Sequence, residues 1–471
     1  MLTRNKILLV VAVILSFIGI CAFSMVYTDL QGDQEYRKQF AIREGIMANH
    51  AKTIRFREKG KVKAKVKLYE PVLVSKSESP MEWGYYQFPS IYRMDDGNLL
   101  ITWQMKEDDH KTLGEKDKGK NMMLSKNNGR TWIDYDNRYR LDQYYYSYKN
   151  KEGDCFLINS AVSKAISSLN NIPKPVYQFD QKGKKSSFYK ESELPDDLQG
   201  VILKKWKSDG SNSKEANSIR LSYNDNGLYK CAIDDHMLLW VGRLIELSNR
   251  DVLVYDFTSY HADNYGRILP LGISFYKLSE QNKSLDFQGE MPYLPDKRID
   301  PIGNTREDVG FSEPTVVEMS DGKLLCVARS TLETVLTPLY KSVSSDEGKT
   351  WSKPEPFTPN GVDPSLIRLG NGTLVLISGR PGVQLRFCFD GEGINWTEPV
   401  EMIHFPYDNG KLDTFGGSCG YTDILPYDNN SFFIVYSVFD KADNNNANGK
   451  NVLFKQYKKS IMFRKITVKV K

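Results

Sequence analysis

Five stretches of the chain repeat one pattern: a short apolar run, a polar turn rich in Gly, Asn and Asp, and a second apolar run. They are PSIYRMDDGNLLITWQ (89–104), GRLIELSNRDVLVYDF (242–257), PTVVEMSDGKLLCVAR (314–329), PSLIRLGNGTLVLISGR (364–380) and TDILPYDNNSFFIVYS (422–437). Runs rich in Val, Ile, Leu and Tyr around such turns predict β-hairpins. A second motif follows some of them. SKNNGRTW (125–132) and SSDEGKTW (344–351) both fit S-x-[DN]-x-G-x-T-W, and CFDGEGINW (388–396) reads as a third copy with one extra residue. Asp or Asn with Gly suits a tight turn of unusual backbone conformation, and Trp supplies a large packing surface.

A hairpin plus a second turn makes about four strands per unit, the size of a β-propeller blade. The expected fold is therefore all-β, a six-bladed β-propeller over residues 68–471, with an insertion near 141–220 where the repeat is obscure. KVKAKVKLY (61–69) and KITVKVK (465–471) alternate Lys with mostly apolar residues. They are expected as outer or ring-closing strands whose lysines discourage edge pairing. Residues 28–67 are expected as a basic linker ahead of the domain.

The N-terminus adds a location. Arg4 and Lys6 precede an apolar run from Ile7 to about Tyr27, and Ala22-Phe23-Ser24 resembles a small-x-small cleavage site. Residues 1–27 are read as a signal peptide or a membrane anchor, and either places the remaining chain outside the cytoplasm, secreted, periplasmic or anchored. The net charge of +5 is concentrated in 52–67 and 463–471, so no nucleic-acid surface is expected. Cys155, Cys231, Cys326, Cys388 and Cys419 are widely spaced without a CxxC pair, which predicts isolated buried thiols. The five histidines lack metal-ligand spacing, so no metal or cofactor is expected.

The repeat also predicts a site. Residues just before each first hairpin strand should occupy equivalent places: Phe88, Val241, Glu313, Asp363 and Tyr421. The second strands return to the same rim, ending in Gln104, Phe257, Arg329, the Gly379-Arg380 pair and Ser437. A tyrosine at a strand start is most often structural. A tyrosine beside a carboxylate and two arginines is a candidate nucleophile, because the carboxylate can accept the phenolic proton. The arginine forks suit a substrate carboxylate. A neutral nucleophile also avoids the repulsion that a second carboxylate would meet beside an anionic sugar.

With these residues in place the chain resembles the sialidase (neuraminidase) superfamily with Asp-box, or BNR, repeats, over roughly residues 80–465. The resemblance implies a retaining exo-glycosidase without a cofactor, acting as a monomer on a glycan bearing a terminal sialic acid or related sugar. GSCGYTDI resembles the nucleophile segment, which implies Tyr421. FSEPTVVEMSDGKLLCVARS resembles the segment of its Glu partner and second arginine, implying Glu313 and Arg329. SGRPGVQLRFCFD resembles the third-arginine segment, implying Arg380 with Arg386 behind it. The family begins its first blade with Arg-Ile-Pro or a close variant. Here YYQFPS puts Gln87 at that position, with Arg93 further along the hairpin. The acid/base is expected in MKEDDHKTLGEKDKGKN, at Asp108 or Asp109 ahead of Asp117. Asp363 is expected to touch the substrate. The contrasting readings are a non-catalytic carbohydrate-binding propeller and a glycosidase for a sugar lacking the carboxylate.

Overall fold

A computed structural model describes residues 50–471 apart from 95, 109–118, 120, 136–147, 151–152, 161–165, 169, 182–183, 208–216, 226, 238–242, 262–267, 269–271, 295–309, 331–337, 381, 404–406, 409–410, 413–416 and 441–457. The leader, Val241, Asp109 and Asp117 lie outside the described residues. Among the described residues the chain is all-β. Its helical content is two short 3-10 turns, Ile166–Ser168 and Glu191–Glu193. No helix among them is long and apolar enough to cross a membrane.

All five predicted hairpins form. The first sheet runs Gln87–Arg93, Leu99–Gln104, Met122–Ser125 and Ile133–Asp134, in that order. Two later sheets repeat it with Phe311–Glu318, Leu324–Ser330, Leu339–Ser344 and Glu355–Thr358, and with Val362–Arg368, Leu374–Gly379, Val383–Cys388 and Val400–Ile403. The hairpin Arg243–Glu246/Val252–Asp256 continues through Ile273–Ser279 and Ser284–Met291. That last strand pairs in parallel with Asn217–Asn224, which continues through Val201–Lys207 and Asp154–Ser160. The stretch near 141–220, expected as an insertion where the repeat is obscure, carries regular strands where it is described, together with the hairpin Tyr177–Gln181/Lys184–Lys190 of a smaller sheet.

The last sheet joins the two ends of the described chain. Lys458–Val470 pairs along one side with Ser431–Asp440, which pairs with Thr422–Asp428. Its other side takes Val72–Lys76 and Lys61–Leu68. Lys61–Leu68 is a strand of this sheet, as the alternation of 61–69 led us to expect, and Lys52–Glu58, expected as linker, pairs beside it. The two lysine-alternating strands close the sheet by pairing with each other. The edge they were expected to guard is occupied by Lys52–Glu58. The alternation marks a one-sided strand: Ala64, Val66, Leu68, Ile466 and Val468 are fully buried while their lysine neighbours stay in contact with solvent.

Consecutive sheets pack face to face. Phe311, Cys326 and Tyr340 meet Leu253 and Phe275 of the preceding hairpin sheet, Leu366 and Leu376 meet Val317 and Leu325, and Phe432 and Ile434 meet Ile377 and Phe387. Phe433 and Phe463 of the last sheet then pack on Ile91 and Trp103 of the first. The first strands of five units, beginning at Gln87, Arg243, Phe311, Val362 and Thr422, consequently lie side by side. Their inner ends share one axis.

The octapeptide turns connect third and fourth strands and have one design. Ser125 accepts from Gly129 N at 2.8 Å and Asn127 from Thr131 N at 2.9 Å. Ser344 and Asp346 do the same for Gly348 and Thr350, at 2.9 and 2.8 Å. In the third copy Asp390 accepts from Glu392 N at 3.0 Å. Each Trp reaches a neighbouring sheet: Trp351 stacks on Phe275 at 4.3 Å, Trp132 meets Phe463 at 5.3 Å and Trp396 meets Phe357 at 5.2 Å.

Gly129 has φ of +82° and sits under the Phe463 ring, where a Cβ would lie 2.1 Å from Cε1; Gly97 has nearly the same φ, +81°, with nothing nearby. Gly97→Ala is expected to cost about 1 kcal/mol, the strain of a left-handed L-residue alone. Gly129→Ala should cost about 1–3 kcal/mol more through overpacking. Equal denaturant midpoints for the two variants would contradict this account.

Candidate active site

Three first strands enter the axis through the same irregularity. Register breaks at Phe88-Pro89, Glu313-Pro314 and Asp363-Pro364. The residue before each proline has positive φ: +53°, +49° and +43°. Proline disfavours the right-handed α region for its predecessor, and the left-handed alternative costs an L-residue on the order of 1 kcal/mol. The kink turns these three side chains away from the regular pleat, at the rim position the repeat predicts.

Tyr421 holds the same position in the last sheet by a different route. Gly420, at φ +83°, supplies the turn before it. A Cβ on Gly379 would lie 1.9 Å from Gly420 O, and one on Gly420 2.7 Å from Arg380 Cγ. The small residues around Tyr421 therefore let two backbones approach, and the tyrosine ring is half-buried. Phe88 packs edge-on against it at 4.6 Å and 74°.

Tyr421 Oη donates to Glu313 Oε1. Arg329 Nη1 donates to the same Oε1 at 3.0 Å and to Tyr421 Oη at 3.3 Å. The other oxygen, Oε2, accepts from the Asp363 backbone N–H at 2.7 Å. The Arg380 guanidinium lies 5.3 Å from the centre of the Tyr421 ring and 5.5 Å from that of Trp83, and its Nε donates to Cys419 O at 2.9 Å. The structure thus brings together Tyr421, Glu313, Arg329, Arg380 and Asp363.

Charge is unevenly held. Burial and the adjacent Glu313 carboxylate push the Tyr421 phenol well above its ordinary range. Burial alone would raise Glu313 too, but Arg329, the Tyr421 hydroxyl and the Asp363 amide outweigh it and hold Glu313 below its ordinary value. At rest the pair is a neutral phenol donating to an ionised carboxylate. Asp363 is pushed up to about 7 by burial and by Glu313 and Asp423, against the pull of Arg243. Burial likewise lifts Asp423 to about 6.

Other expected residues fall elsewhere. Gln87 is fully buried, and among the described residues neither its side-chain oxygen nor its nitrogen has a hydrogen-bond partner. Its neighbour Phe88 is the residue that packs against the Tyr421 ring. Arg386 is buried within its own sheet, with Nη2 donating to Gln384 Oε1 at 3.0 Å. Arg93 lies on the outer side, 5.3 Å from the centre of the Tyr427 ring. Asp108 is exposed and accepts from Trp83 Nε1 at 2.8 Å, joining it to the aromatic ring beside Arg380.

Two residues were missed. Arg243 and Asp423 stand two places after the rim position in their hairpins, level with Ser90, Thr315 and Ser365. Arg243 Nη2 donates to Asp363 Oδ1 at 3.0 Å. Asp423 Oδ2 accepts from Ile91 N at 2.9 Å, just as Thr315 Oγ1 accepts from Leu366 N at 3.2 Å. The period-two pattern carries this signal: side chains at i and i+2 share a face, so a second inward row follows the rim.

No known family's sequence profile matches the chain, and the search of curated proteins found no match. Among solved structures, a Dyadobacter fermentans protein of unknown function overlays at TM-score 0.49 and 16% identity, covering 84% of this chain and 98% of that one. A point mutant of the NanB sialidase of Streptococcus pneumoniae overlays at 0.42 and 13%, covering 84% and 70%. A Penicillium chrysogenum α-L-arabinanase complexed with arabinobiose overlays at 0.41 and 14%, covering 84% and 98%. Overlaps this loose carry no residue's role across.

Two outcomes follow from the charges. Between pH about 4, where an unfolded aspartate ionises, and about 7, folded Asp363 keeps a proton that the unfolded chain has released. In that window the group makes stability fall as pH rises. Asp363→Asn should therefore flatten the stability–pH slope measured by urea unfolding, leaving the smaller contribution of Asp423. An unchanged slope would sink the assignment. Separately, Gln87→Arg would bury a cation with no partner and should cost about 3 kcal/mol or more, read as a large drop in the urea midpoint.

Proposed function

We propose that the chain is an exported retaining exo-glycosidase of the sialidase type, built as a six-bladed propeller with Asp-box turns and removing a terminal acidic sugar. The observation that carries this reading is the half-buried hydrogen bond from Tyr421 Oη to Glu313, with Arg329 Nη1 reaching both. Tyr421 oxygen attacks the anomeric carbon and its proton passes to Glu313. The glycosidic C–O bond breaks as the leaving oxygen takes a proton from Asp108 or Asp109. Water then gives its proton to that same aspartate and attacks the anomeric carbon. The tyrosine oxygen leaves and recovers its proton from Glu313, so configuration is retained over two displacements.

The resting charges favour this timing. A raised phenol beside a lowered carboxylate holds no free tyrosinate. Proton transfer becomes favourable only as positive charge grows at the anomeric carbon, so nucleophilicity develops in the transition state. Arg329 and Arg380 would orient the acid group of the sugar. The Trp83 hydrogen bond, beside Arg380, favours Asp108 as the proton donor. Phe88 supports a second reading, in which the sugar lacks a carboxylate, because an apolar ring stands where the first repeat meets Tyr421.

A panel of methylumbelliferyl glycosides, sialosides and neutral sugars included, decides among these. Tyr421→Phe is expected to lower kcat by about a thousandfold or more, since it removes the oxygen that forms the covalent intermediate. Turnover of neutral glycosides alone would select the second reading. Glycan binding without turnover of any member would overturn both in favour of a binding module.

A further inference from the structure

Arg243 has no part in the steps above, yet it is tied to them. Its side chain is 36% exposed and pairs with Asp363 Oδ1 at 3.0 Å. Asp363 has two further attachments. Its Oδ2 accepts from Thr422 N, the peptide that follows Tyr421, at 3.4 Å. Its own backbone N–H donates to Glu313 Oε2 at 2.7 Å. Direct hydrogen bonds therefore run from Arg243 through Asp363 to both members of the reacting pair.

We propose that Arg243 is a positioning residue: acting through Asp363, it holds the Glu313 carboxylate and the Tyr421 backbone in reactive register. The charges facing Asp363 say why an arginine is needed there. Glu313 and Asp423 both disfavour its ionisation, and burial adds to them; Arg243 and the Thr422 N–H oppose. Arg329 and Arg380 act on Glu313 and Tyr421. Without Arg243, Asp363 becomes a neutral acid over more of the pH range, and its bond from Thr422 N loses charge assistance. Asp363 sits at positive φ, so that change bears on a strained residue whose amide touches Glu313. Misplacement of a reacting group by about an ångström can cost about a hundredfold in rate.

The inference rests on the glycosidase reading for its kinetic readout. Arg243→Met, Arg243→Lys, Asp363→Asn and the double variant Arg243→Met/Asp363→Asn would be assayed across pH on a glycoside that the wild type turns over. Arg243→Met should lower kcat about ten- to a hundredfold with KM little changed, and move the rising limb of the pH profile to higher pH. Arg243→Lys should recover part of the rate, and serves if the Met variant fails to fold. The double variant should be no worse than the poorer single one, because the two residues act as a unit. A rise in KM with kcat and the pH limb unchanged would make Arg243 a substrate contact and overturn the proposal, as would additive losses in the double variant. Should the wild type turn over no glycoside, the glycosidase reading fails by itself. The proposal is then decided by the infrared carboxyl band that Asp363→Asn removes: its titration must move to higher pH in the Arg243 variants, and an unmoved titration overturns it.

Discussion

Three hydrogen bonds converge on the Glu313 carboxylate from separate parts of the chain. Tyr421 comes from the segment leading into the last sheet, Arg329 from the neighbouring strand, and the Asp363 amide from the next sheet. A buried carboxylate deprived of one such partner is destabilised by about 3–5 kcal/mol. Geometry at the axis is therefore enforced by the cost of leaving Glu313 unsatisfied. The sheets are packed by apolar faces and tryptophan stacks, which fix their order. What those contacts leave free, the depth and rotation of each inner strand, the carboxylate constrains.

That constraint needs its side chains delivered to one point, and regular β-structure would not deliver them. The X-Pro kink does so in three sheets, with an L-residue in the left-handed region each time. Tyr421 is delivered by a glycine instead, and a second glycine opposite makes room for it. The strain is local and the compensation is local too: Glu313 and Asp363, two of the three kinked residues, accept hydrogen bonds from the next strand of the ring.

Much of this was legible in the chain. Apolar runs around Asn/Asp/Gly turns located all five hairpins, and the octapeptides located turns whose hydrogen bonds repeat almost to the atom. Glu313, Asp363 and Tyr421 were found as a set because the repeat makes their positions equivalent. Arg243 was missed because the repeat marks only the first inward position of each hairpin, although alternation puts a second inward row two residues later. The kink at Phe88 was not legible either, because backbone sign at a single residue is not visible in composition or periodicity. The strand Lys52–Glu58 was hidden by its basic residues, which resemble a linker until the neighbouring strand Lys61–Leu68 is placed in the sheet.

Consider finally the long strand Lys458–Val470, which holds Lys61–Leu68 and Val72–Lys76 along one side. The pieces of this sheet are separated by nearly the whole length of the chain, so their pairing is among the least local contacts the fold contains. Closing so large a loop is slow relative to forming hairpins. A chain emerging progressively would assemble its middle sheets while its two ends remained apart, leaving the assembly open like an unclasped bracelet. The contacts of Tyr421 with Glu313 and of Thr422 with Asp363 would then mature late. Any chemistry the axis performs is thereby withheld until Lys458–Val470 is in place.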